Sequence, residues 1–385
     1  MHALPEPAVT VIGGVAFRHV DLRAILGPDL ERLPWVTRIL LENVLRAAPR
    51  EEAAAALAAA RDWLTRGTSE AEIAFRPGRV LMHDTTCIPA LVDIAAMRDA
   101  LAEAGHDPAA LNPTLTVDVS VDHSVAVDAF AVRDALARNM RTEIGRNAER
   151  YRMMKWAGRS LKGMRVHPPG TGIMHTLNLE QLATVIAETE AGGARWLMPD
   201  TLLGTDSHTP MINGIGVLAW GIGGIEAESV MFGMPAMLRL PDVVGVRLSG
   251  RLPEGALGTD LALAVTELLR GVELGGAFVE FFGPGVSTLT AGDRAAVANM
   301  APEYGAGTGY FPIDAATVAY LAATGRPAAI VERVEPAARA IGIWFDPAAT
   351  PRYTRVLELD LGAIGPSLAG PRRPQDRLAP SDAPA

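Results

Sequence analysis

Three histidines in this 385-residue chain stand next to groups that could move a proton. His123 follows Asp122, His175 closes the glycine-rich run Pro168–His175, and His208 completes Asp206-Ser207-His208. A single histidine is more often structural. Three in loop-like segments, two of them beside an aspartate, point to acid–base chemistry: an imidazole donates or accepts the proton and a carboxylate orients it. A dehydration needs this pairing, because a departing hydroxyl must be protonated as its bond to carbon breaks.

The segments that present these residues read as strand ends. Leu115 to Val121 is rich in β-branched residues and leads directly into Asp122-His123. Arg195 to Met198 is a short apolar run that passes through a loop, Pro199 to Gly204, into Asp206. Ile73 to Met82 reads as one strand ending at His83-Asp84. Ligands of an open α/β sheet bind at the carboxyl ends of its strands, so these residues are candidates by position as well as by type. Trp35 to Trp63 reads as two helices. A second α/β pattern follows, with strands at Val243–Leu248 and Ala277–Phe282 and helices at Asp260–Leu269 and Ala291–Met300. Beyond Gly325 one more helix, Val331–Ile341, precedes proline-rich, weakly patterned sequence. The expected organisation is a first domain over 1–240, a second over 241–325, and a linker with an incomplete third domain over 326–385. Glycines 214, 216, 221, 223 and 224 lack the order and βαβ setting of a dinucleotide turn and predict close backbone packing.

Composition bounds the class. Hydrophobic residues make up 49% and charged residues 21%, and the formal charge of -9 disfavours a polyanionic partner such as nucleic acid. Within that acidic background Arg133 to Arg165 is basic, and it reads as a solvated helix face or a set of anchors for acids elsewhere, with an anionic ligand as the alternative. No apolar run reaches membrane-span length and the start has no secretion-signal pattern, so the expected setting is cytoplasmic with no membrane. The one cysteine, Cys87, makes neither an internal disulfide nor a cysteine-rich metal site.

Four motifs together resemble the aconitase (aconitate hydratase) family, aconitase A and iron regulatory protein branch: Val121-Asp122-His123-Ser124, Pro168 to His175, Gly204-Thr205-Asp206-Ser207-His208-Thr209, and Ala298 to Gly305. The likeness runs in the family's order from about Leu33 to the C-terminus. It implies an α/β fold of three-layer α/β/α domains, the first two complete and the third truncated. By the resemblance, Asp122 and His123 help protonate the departing hydroxyl, His175 pairs with Asp206 of the Asp-Ser-His triplet, and His208 and Glu303 are further catalytic candidates. Ser207, Asn299 and His83 are candidates for substrate binding. His83-Asp84-Thr85-Thr86 replaces the family's common Gln-Asp-Phe-Thr, which leaves the substrate open, and Thr308 replaces a cysteine common in this branch that is not a cluster ligand.

The family's cluster cysteines, substrate-binding arginines and serine base are expected to lie beyond Ala385. The resemblance therefore implies a hydro-lyase component for a di- or tricarboxylic acid whose [4Fe-4S] cluster is held only if a partner polypeptide supplies cysteines, with no metal ligands assigned in this chain. Two alternatives stay open. One is a cluster-free lyase or isomerase, with a divalent metal possible; the other is a non-catalytic binding protein.

Overall fold

The computed structural model describes residues 6–370 and 372–383. Pro371 and the termini 1–5 and 384–385 lie outside the described residues; Pro371 falls within the segment Pro366 to Arg377, which resembles the stretch that precedes the family's first cluster cysteine.

At the centre of the first unit is a five-stranded, all-parallel sheet in the spatial order Leu218–Gly221, Thr201–Gly204, Arg79–His83, Thr116–Ser120, Met164–His167. Arg79–His83 comes first in the chain and its neighbours are added on one side, then on the other. The order therefore reverses between Arg79–His83 and Thr201–Gly204, and this switch point opens a crevice at the carboxyl ends of the strands. Their core positions are apolar and fully buried, including Val80, Leu81, Val117, Val119, Leu202 and Leu203, as expected of a parallel sheet covered on both faces. Helices Ala148–Ser160 and Gly224–Met231 pack on it, and Cys87–Glu103 packs against both. A second sheet, ordered Ala8–Ile12, Val15–His19, Ala194–Pro199, Ile186–Ala191, is mixed.

The structure differs from the sequence expectation in two of the site-bearing strands. The run from Ile73 to Met82 is two strands, Glu72–Phe75 and Arg79–His83, broken at Arg76-Pro77-Gly78. Proline has no N–H for a ladder, and Asn43 braces the break by donating to the Arg76 carbonyl at 2.6 Å and accepting the Arg76 N–H at 2.9 Å. The run ending at Met198 belongs to the second sheet. Asp206 is instead delivered by Thr201–Gly204, four residues expected in a loop but paired on both sides.

The second unit is a parallel sheet ordered Gly309–Tyr310, Phe278–Phe282, Val243–Ser249, Arg355–Asp360. Its last strand comes from the weakly patterned sequence after Gly325, where only a helix was expected; Arg355–Asp360 alternates half-buried and exposed side chains as an edge strand does. Helix Trp35–Ala47, buried from Trp35 to Val44, ties the units together. Val36 N–H near its start donates to the Glu280 carboxylate at 2.7 Å, filling one of the open donors of the first turn. Helix Ala291–Asn299 lies against the turn Thr209–Ile215. A Cβ on Gly214 would stand 2.6 Å from Ala295 Cα, so only glycine permits this approach. Among the described residues no helix is long and apolar enough to cross a membrane.

Candidate active site

The carboxyl ends of four of the five strands each contribute one part of a single constellation. His83 ends its strand, Asp122 and His123 follow Thr116–Ser120, His175 lies on the loop and short helix after Met164–His167, and Asp206 follows Thr201–Gly204. Asp206 is 5% exposed and lies between two imidazoles: Oδ1 is 3.4 Å from His123 Nε2 and Oδ2 is 3.2 Å from His175 Nδ1. His123 Nδ1 is in turn 2.6 Å from Asp122 Oδ1. Asp122 is held by the Met174 N–H on its other oxygen and itself donates its N–H to buried Asp84 at 3.4 Å.

Both ring nitrogens of His123 thus face carboxylates. Ionised carboxylates only accept hydrogen bonds, so the arrangement is satisfied in full when both nitrogens carry hydrogen and the ring is an imidazolium. Partial burial opposes that charge, but the hydrogen bond to Asp122 and the charges of Asp122 and Asp206 outweigh it and raise the His123 pKa. His83 stacks on His123 with ring centroids 4.1 Å apart and planes within 14°. Burial and then repulsion from His123 lower the His83 pKa. Two stacked imidazoles are thereby pushed apart in pKa, one toward the charged form and one toward the neutral. Burial alone would raise the Asp206 carboxyl, yet the His175 hydrogen bond, the charges of His175 and His123 and the His208 N–H bring it down to about 2.

His208 follows Asp206 in the first unit, and Asn299 and Glu303 arrive from the second. His208 Nδ1 lies 3.3 Å from the Asn299 carbonyl, and its ring is tilted against His175 at a centroid distance of 5.3 Å. Asn299 ends the helix that Gly214 allows to approach. Glu303 lies one short helix further on, its backbone carbonyl accepting from Arg270 Nε. Asn299 Oδ1 and Glu303 Oε2 are buried acceptors without a partner among the described residues. Such atoms call for a donor from outside the chain, a ligand hydroxyl or water. Ser207 is exposed. The structure thus joins His83, Asp122, His123, His175, Asp206, His208 and Asn299 through direct contacts, while Ser207 and Glu303 stand beside them in chain order.

Two supporting carboxylates were given no role in the sequence reading, although Asp84 was placed at a strand end there. Buried Asp84 receives Arg150 Nη1 at 3.0 Å besides the Asp122 N–H. Glu143, the one buried residue of helix Ala135–Arg146, accepts from Ser124 Oγ at 2.7 Å and from Asn147 and Tyr151, so it anchors the residue next to His123. A lone Glu on an otherwise exposed helix carries no sequence signal of this. Part of the basic stretch proves to be anchors: Arg150 pairs with Asp84 and Arg165 with Asp118, both acids fully buried.

An iron–sulfur cluster is held by cysteine thiolates. Cys87 is buried, its Sγ lies 3.6 Å from the Asp84 carbonyl, and burial together with the Asp84 charge pushes its thiol up to about 12. The residues of this chain do not fit as the holders of such a cluster. Nor do the described residues include a group of three or more His, Cys, Asp or Glu placed to hold a metal ion.

A sequence profile of the aconitase family (aconitate hydratase) matches residues 57–384. Aconitate hydratase A of Legionella pneumophila is 49% identical over 357 residues, covering 92% of this chain and 40% of that protein. The Escherichia coli K12 aconitate hydratase A is 49% identical over 360 residues, with 92% and 40% covered, and Rickettsia felis aconitate hydratase A is 48% identical over 353 residues, with 92% and 39% covered. The chain therefore spans about two fifths of the length of these relatives. With the four motifs converging at one sheet end and the profile spanning most of its length, the chain belongs to the aconitase family.

Proposed function

We propose that this chain supplies the acid–base face of a hydro-lyase for a citrate, cis-aconitate or isocitrate type of acid, and that a polypeptide segment with the cluster cysteines and a base completes the site. The observation that carries the reading is the Asp122–His123–Asp206–His175 array, in which two carboxylates face the two ring nitrogens of one imidazole and favour its protonated form. In the dehydration direction His123 gives a proton to the departing hydroxyl as the C–O bond breaks, releasing water. The proton on the adjacent carbon goes to a base that these residues do not provide, and the C–H electron pair forms the double bond. Asp206 remains ionised and balances the imidazolium before transfer; Asp122 fixes the ring's orientation. Asn299 and Glu303 offer acceptors to a substrate hydroxyl or the water.

The test is the formation and consumption of cis-aconitate, followed by its ultraviolet absorbance, with the purified chain alone and together with a polypeptide spanning the rest of a relative's length. Turnover only in combination supports the proposal, provided His123→Ala abolishes it while the variant stays folded. Turnover by the chain alone would replace it with cluster-free chemistry, and none in either case would replace it with another substrate or a binding role.

A further inference from the structure

At the opposite end of the five-stranded sheet from the histidines, a cavity of about 560 Å³ opens at the amino ends of the strands beginning at Arg79, Thr116 and Met164. Its other walls are strands Ile186–Ala191 and Ala194–Pro199 and the side chain of Arg333 from helix Ala328–Ile341. Four cations line it, Arg79, Lys162, Arg165 and Arg333, against two carboxylates, Glu188 and Asp200. Pairing from outside the wall does not remove the excess: Asp118 neutralises Arg165, but Arg195 competes for Glu188 at 2.5 Å. This positive excess sits in a chain whose formal charge is -9.

The donors are also underused. Buried Arg79 gives three of its N–H groups to Asp200 and Asn178, at 2.7 to 3.1 Å. Arg333 gives one to the Ile186 carbonyl at 3.1 Å and one to Glu188 at 2.9 Å. A guanidinium carries five N–H groups, so two remain on Arg79 and three on Arg333. Lys162, exposed at the mouth, has no ion pair among the described residues. Burial, with a smaller contribution from Arg195, holds the Arg333 pKa below its ordinary value against the opposing charges of Glu188 and Asp200.

We propose that this rear cavity binds a small multivalent oxyanion, a di- or tricarboxylate or inorganic phosphate, at a site separate from the histidine crevice. Fork-like donors from Arg79 and Arg333 suit the paired oxygens of either anion, with Lys162 closing the mouth as a mobile point charge. Its occupant would bridge the strand that ends in His83 to helix Ala328–Ile341, and so clamp the first unit to sequence that follows the second. The proposal stands independently of the catalytic reading.

Thermal unfolding of the full chain, titrated separately with inorganic phosphate and citrate against sodium chloride of matched ionic strength, tests it. The expected result is a midpoint that rises and saturates with one or both multivalent anions. The apparent affinity should fall by about tenfold or more in Lys162→Glu, and also in Lys162→Ala, which guards against misfolding of the charge reversal. It should be unchanged in His175→Ala, whose position is at the far end of the sheet. Response to phosphate, citrate or both identifies the oxyanion chemistry. A rise that chloride reproduces, or that the Lys162 variants retain in full, overturns the proposal, because multivalent salts also stabilise folded proteins without a site. A saturable rise lost only in His175→Ala assigns the anion to the histidine crevice and equally overturns it.

Discussion

Replacing Asp206 by asparagine keeps the shape of the side chain and removes the charge that lies between His123 and His175. The carboxyl moves from its ordinary 3.8 to about 2 in the folded chain, and a full shift of that size corresponds to ~2.4 kcal/mol. Because the His123 side chain is 32% exposed, solvent screens part of this interaction. Asparagine also still accepts one hydrogen bond, so we expect Asp206→Asn to lose ~1 to 2 kcal/mol of stability at pH 6. The sign of the pH dependence follows from the lowered pKa. Such a group contributes stability in full above its unfolded value near 4, and that contribution is lost as pH falls through about 2. The gap between wild type and variant in urea unfolding should therefore narrow to roughly half by pH 3. The same substitution removes one of the two carboxylates that raise the His123 pKa, so the His123 ring protons, followed by NMR, should titrate at lower pH in the variant. A gap independent of pH, or a His123 titration that does not move, would refute the claim that Asp206 and His123 form one electrostatic unit.

Glu280→Gln tests the buried link between the two units. Burial raises the Glu280 carboxyl to about 7 against the opposing Tyr353 and Val36 hydrogen bonds. A raised pKa gives stability that is present below the unfolded value and lost as pH rises through about 7. The wild type should lose up to ~3 kcal/mol across that window while the glutamine variant stays flat, as read from urea midpoints at pH 5 and 8. Gly214→Ala forces a methyl against the Ala295 backbone; a loss of ~1 to 3 kcal/mol in urea unfolding is expected, and no loss would show that helix Ala291–Asn299 shifts freely. Cys87, with its thiol pushed up to about 12, should react with a chromogenic disulfide reagent at pH 8 only after denaturant is added; rapid reaction of the native chain would contradict its burial.

The candidate residues were legible because their types are chemically unusual in combination and because they follow apolar runs. Asp122 and His123 come after a β-branched strand that folds as read, from Thr116 to Ser120. Thr201–Gly204 was not legible: four residues carry too little periodicity, and it is a strand only because Arg79–Leu81 and Leu218–Gly221 flank it. Arg355–Asp360 was missed for the same reason, its pairing to Val243–Ser249 joining segments about a hundred positions apart. The sequence left a solvated face and anchors for distant acids undivided for Arg150 and Arg165, because their buried partners, Asp84 and Asp118, lie far from them in sequence.

Family membership, the α/β class and the inventory of proton-moving groups were thus determined by the sequence alone, through residue order and local pattern. The tertiary structure decided which groups share a proton. His123 lies between Asp122, its neighbour in the chain, and Asp206, which a different strand delivers, and His83 is stacked upon it from a third. It also decided that four cations from separate elements surround one cavity at the other end of the same sheet. Charge and hydrogen-bond energies depend on distances of a few ångströms and on burial, and between residues far apart in the chain only packing sets those quantities.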